Sequence, residues 1–85
     1  MSEINVEEVV GKLLEEMALI TGKPVGELDR SRSLAQNGIN SMGFVELLLT
    51  VAKNWNVNLM DAGIGVADVR SVESLAERIA RERMQ

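Results

Sequence analysis

The stretch Ser41 to Trp55, SMGFVELLLTVAKNW, constrains the chain more than any other. Its only charged side chains are Glu46 and Lys53. Wound at about 100° per residue, it gathers Phe44, Leu47, Leu48, Val51 and Trp55 into an arc of about 100°. That arc is a core stripe, and it demands other elements to cover it. Met42, Val45 and Leu49 are left over. They fall at i, i+3 and i+7 and form a second apolar strip beside the first, bordered by Glu46 and Lys53. Two readings of this strip stand side by side. Either the preceding loop folds over it, or it stays open to partner proteins. A flexible, polarisable Met at its edge suits a surface that must fit several partners. The partner-binding set is therefore Met42, Val45, Glu46, Leu49 and Lys53.

Two more segments carry a helical period. The first starts at Asn5, a good cap, with Glu8 three residues on as a variant capping box. Ile4 and Val9 are placed to form a hydrophobic staple. Val6, Val10, Leu13, Met17 and Ile20 recur at three- and four-residue spacing and line one face. Gly22 and Pro24 end the segment. Gly11 sits inside it at a cost of up to about 1 kcal/mol relative to alanine. The last helix starts near Ser71, with Glu73 in its first turn and Val72, Leu75, Ala76 and Ile79 facing inward. Arg78, Arg81 and Arg83 cluster toward its C-terminal end, where the dipole favours cations.

The connections are less regular. Lys23 to Asn40 has no sustained period, and a loop of that length in a compact domain tends to be functional. Val25, Leu28, Leu34 and Ile39 are spaced to pin it to the helices, and Ser33 to Gln36 can form one helical turn. After Trp55 the tract NVNL breaks the pattern. Met60 to Val69 contains Gly63 and Gly65 and reads as a loop or a short irregular helix. No segment reads as a strand. The expected fold is all-α: a bundle of three main helices plus one short helix, with a long first loop, forming a single domain over residues 1–85.

Composition narrows the function classes. Apolar residues make up 46% of the 85, which argues against disorder. Phe44 and Trp55 are the only aromatics, so aliphatic side chains must fill the core. The chain has neither cysteine nor histidine, which removes a disulfide framework, a thiolate metal site and a thiol nucleophile. Net charge is −4, and residues 31–60 carry only Glu46, Arg32 and Lys53 as charged groups. An acidic chain with no basic stripe is a poor nucleic-acid ligand, because that affinity comes largely from neutralising phosphates. No apolar run is long enough to span a bilayer, and nothing at the N-terminus reads as a secretory signal. The expectation is a cytoplasmic monomer that does not insert into membranes.

Ser41 stands where the second helix should begin. Ser41 can cap that helix, and Asn40 can do so equally well; on spacing alone, capping is the favoured role of Ser41. A serine nucleophile needs a base, usually histidine, and the chain has none. Of the lysines, Lys12, Lys23 and Lys53, the last lies about three turns along the same helix and out of reach. No strand precedes Ser41 to build a nucleophile elbow. Catalysis by this chain's own residues is not expected. A phosphate ester on Ser41 would be well placed, since a helix N-terminus offers free N–H groups and the positive end of the dipole.

The motif Gly38-Ile39-Asn40-Ser41-Met42, followed by Val45-Glu46-Leu47, resembles the signature of acyl and peptidyl carrier proteins. SLAQNGINS resembles the end of that family's long first loop. Trp55 stands where the family has an aromatic, and VRSVESLAERI resembles its turn into the last helix. Nearly the whole chain is covered. The resemblance implies that a phosphopantetheinyl transferase, with coenzyme A and magnesium, attaches 4'-phosphopantetheine covalently to Ser41, flanked by Gly38, Asn40 and Met42. It implies a freestanding carrier that holds a thioester-linked acyl, aminoacyl or peptidyl group for loading and transferring enzymes. Two departures matter. Asn40 replaces the usual Asp, and the second helix lacks the acidic face of fatty-acid-synthesis carriers, with Lys53 in place of an acid. The first removes a charge available to modifying enzymes, and the second points away from housekeeping fatty acid synthesis and toward a polyketide, nonribosomal peptide or specialised lipid pathway. The run from Ser41 to Leu48 is also similar to that of D-alanyl and other aminoacyl carriers. The alternative is an unmodified helical protein-interaction module that keeps the carrier-like fold.

Overall fold

A computed structural model describes residues 5–83. Three helices form the bundle: α1 (Val6–Thr21), α2 (Ser41–Trp55) and α3 (Val72–Arg83). Two single 3-10 turns, Val25–Glu27 and Val66–Asp68, lie in the connections. The second of these is the short helix expected between Met60 and Val69. Among the described residues there is no strand, and no helix is long and apolar enough to cross a membrane.

The helical faces are those set by the apolar spacing, with additions. Val9, Val10, Leu13 and Met17 of α1 are buried, while Val6 and Ile20 are half-buried. On α3, Val72, Leu75, Ala76, Ile79 and Ala80 face inward. α1 packs most extensively on α3 and next on α2. Leu34, Ile39, Val57 and Leu59 from the connections complete one continuous core. The tract NVNL is thus an extended link that buries Val57 and Leu59 and exposes Asn58. Val25 departs from expectation. It is 45% exposed and does not pin the first loop, because the 3-10 turn that carries it lies on the surface with none of its residues buried.

The caps differ in detail from the sequence reading. Asn5 caps α1, but through the N–H of Glu7 at 2.8 Å, and no return bond from Glu8 is made among the described residues. Ile4, the other half of the expected staple, lies outside the described residues. Ser71 caps α3: its Oγ accepts from the Ser74 N–H at 3.0 Å, and the Ser74 Oγ accepts from the Ser71 N–H at 3.1 Å. This is a capping box closed by serine in place of the usual Glu or Gln.

The long first loop is held by polar contacts. The Asn37 side chain is buried, and its Oδ1 accepts from the Asp29 N–H at 2.7 Å. Its Nδ2 donates to the carbonyls of Asp29 and Ser33 at 2.9 and 2.8 Å, and more distantly to that of Arg32. Loop carbonyls then finish α3. Val72 N–H donates to the Arg32 oxygen and Glu73 N–H to the Arg30 oxygen, both at 3.1 Å. With Ser71 serving Ser74 and Leu75, the first four N–H groups of α3 all have partners. Arg30 ties the loop to both outer helices, gripping the Glu7 carboxylate with both terminal nitrogens and giving its Nε to Glu73 at 2.7 Å.

These contacts make the fold acid-sensitive. The Arg30 hydrogen bonds hold the Glu7 carboxyl below its ordinary value of 4.5. The Ser31 hydroxyl and N–H do the same for Asp29, below 3.8. Over that range the unfolded chain binds more protons than the folded one, so stability falls as pH falls. The contribution is whole above about pH 4.5 and is lost through the lower folded values. Urea unfolding from pH 7 to pH 2 should show this decline. In Arg30→Met the decline should be shallower, leaving the Asp29 part. An equally steep profile would mean that Arg30 and Glu7 are not joined in solution.

Candidate functional site

The loop delivers the chain to α2 through three residues with distinct tasks. Gly38 adopts φ +94°, a left-handed conformation that costs a side-chain-bearing residue roughly 1–2 kcal/mol. A Cβ there would also meet the Lys23 Nζ at 3.1 Å. Ile39 is buried and anchors the turn. Asn40 is extended and caps α2, its Oδ1 accepting from the Gly43 N–H at 2.8 Å. Its carbonyl accepts from the Phe44 N–H at 2.8 Å.

Asn40, and not Ser41, is therefore the cap. The reason is register. Ser41 already has helical backbone geometry as the first residue of α2, whereas a cap needs the extended conformation that Asn40 holds. Ser41 is exposed, and among the described residues its Oγ makes no hydrogen bond. The N–H groups of Ser41 and Met42 likewise have no protein partner there. A free hydroxyl thus stands at a helix N-terminus beside two open donors.

Gly43 fixes how close this end of α2 comes to α1. It is buried, and a Cβ there would lie 3.0 Å from the Ile20 Cγ2 and 3.4 Å from the Ile39 Cγ2. Glycine lets the two backbones approach at that point. Sequence reasoning did not assign this role. A glycine one turn into an otherwise strong helical pattern is the available signal.

The two strips of α2 separate cleanly. Phe44, Leu47, Leu48 and Val51 are buried, and Trp55 is half-buried at the end of the stripe. Met42, Val45 and Leu49 are 76%, 42% and 54% exposed. The loop does not cover them. It is drawn to the α3 side by the backbone bonds of Arg30 and Arg32 and by the Arg30 side chain on Glu73. Glu46 and Lys53 are exposed beside the strip. The predicted partner-binding set thus lies on one open face with Ser41 at its N-terminal end. Trp55 turns its other side toward a groove shared with Glu8, Gly11, Lys12 and Glu15 of α1.

The chain matches no protein-family model, no curated protein and no solved structure.

The two strips predict opposite energetics. Leu49→Ala and Met42→Ala should change unfolding free energy by no more than about 0.5 kcal/mol. Leu47→Ala, from a fully buried position, should cost about 2–5 kcal/mol. Urea denaturation of the three variants measures both.

Proposed function

We propose that the protein is a carrier that bears 4'-phosphopantetheine on Ser41 and presents a thioester-linked cargo to partner enzymes. The observation that carries this reading is the exposed Ser41 hydroxyl at the start of α2, unbonded among the described residues and next to an apolar strip that none of those residues covers. The motif from Gly38 to Leu47, which resembles that of phosphopantetheine-bearing carriers, supports it as well. When attached, the arm would supply the terminal thiol that holds the cargo.

The chain's own residues fit that group. Asn40 satisfies the Gly43 N–H, which leaves the serine oxygen without a structural task. The open N–H groups of Ser41 and Met42 sit where a phosphodiester on Oγ would be favoured by the helix dipole. Met42, Val45 and Leu49 offer an apolar docking face to a transferase and to loading enzymes. Glu46 and Lys53 give that face an orientation through one charge of each sign. The absence of cysteine and histidine removes side-chain thiols and imidazoles that would attack a thioester. We assign no catalytic step to this chain.

A second reading keeps the fold and the open strip but leaves Ser41 unmodified, as an interaction module. The neutral Asn40 favours it, because the charge that the resembled family places there is missing. Intact mass spectrometry distinguishes the two. Incubated with coenzyme A, magnesium and a permissive transferase, the protein should gain the mass of one phosphopantetheine, and Ser41→Ala should gain none. No gain with several transferases, including one from the source genome, would favour the interaction module.

A further inference from the structure

Positive charge gathers around one cavity away from Ser41. Arg70, Arg78 and Arg81 line an open cavity of about 190 Å³ between α3 and the segment that leads into it. Ile64, Val69 and Leu75 form its apolar wall, and Ser74 adds a hydroxyl. No residue of α2 lines it.

The arginines are poorly compensated. Arg78 gives its Nε to Glu82 at 3.0 Å, which leaves its terminal nitrogens without partners among the described residues. Arg70 and Arg81 are exposed, and neither is ion-paired among those residues. Among the described residues Asp68 is the one acid on the wall, and its Oδ2 already accepts from the Gly65 N–H at 2.8 Å. Three arginines thus line one cavity in a chain of net charge −4. Guanidinium forks match the oxygens of carboxylates and phosphates. The aliphatic wall adds a preference for an apolar tail. The volume is somewhat above the roughly 150 Å³ that admits a benzene-sized guest. It is too small to take a helix, whose diameter with side chains is about 10–12 Å.

We propose that this cavity binds a small amphiphilic oxyanion, a carboxylate or phosphomonoester on a short alkyl chain. The inference does not depend on the reading of Ser41. Titration of the ¹⁵N-labelled protein with hexanoate and with butyl phosphate tests it, with inorganic phosphate and hexanol as controls. Saturable shifts of the Val69, Arg70, Ser74 and Leu75 amides are expected with the amphiphiles, and the tighter of the two identifies the head group. Arg70→Gln combined with Arg81→Gln should weaken binding at least about tenfold. Both side chains are exposed, so the fold does not rest on them. Shifts no larger than those of the controls, or unchanged affinity in a double variant with intact helical circular dichroism, would overturn the proposal.

Discussion

The buried amide of Asn37 is the contact from which the rest of the site follows. It bonds the backbone at Asp29 and Ser33, closing the loop on itself before α2 begins. Each such bond contributes about 1 kcal/mol net, and a buried partner left unsatisfied costs about 1–3 kcal/mol. The Arg30 ion pair with Glu7 is exposed and that with Glu73 only partly buried, and they contribute less for that reason. The amide holds the loop closed, and the arginine sets where the closed loop rests. That placement puts the carbonyls of Arg30 and Arg32 over the N-terminus of α3. It also sends Gly38, Ile39 and Asn40 toward α2 in a fixed register.

Register decides what Ser41 can do. A shift of one residue would make the serine the cap and occupy its oxygen. With Asn40 in the extended position, the amide side chain does that work and the hydroxyl faces solvent. Gly43 supports the arrangement from the other side by letting α2 close on Ile20 of α1. An asparagine before the serine therefore serves the fold as well as an aspartate would, while it leaves the site less negative. The same helix then divides its apolar residues between a buried stripe and an open one.

Much of this was legible in the sequence. The helical period placed all three helices, and the leftover residues of α2 identified the strip that proves to be open. The contacts that hold the loop were not legible. Arg30 meets Glu7 and Glu73 at sequence separations of 23 and 43, and no local pattern pairs such residues. Asn37 precedes a glycine, which signals a turn, but nothing local says that its amide is buried. Val25 failed for the opposite reason. An apolar residue in a loop looks like an anchor until the loop's polar contacts draw the anchoring elsewhere. The choice between Asn40 and Ser41 turned on one backbone conformation, which two equally good capping residues do not reveal.

The central claim is that asparagine caps α2 so that the serine oxygen stays free. Comparing the unfolding free energies of Asn40→Ala and Ser41→Ala by urea denaturation tests it most directly. The account predicts a loss of about 1 kcal/mol for Asn40→Ala, with Ser41→Ala within about 0.5 kcal/mol of the parent. A loss confined to Ser41→Ala would show that the hydroxyl is bound into the cap, and would contradict the account.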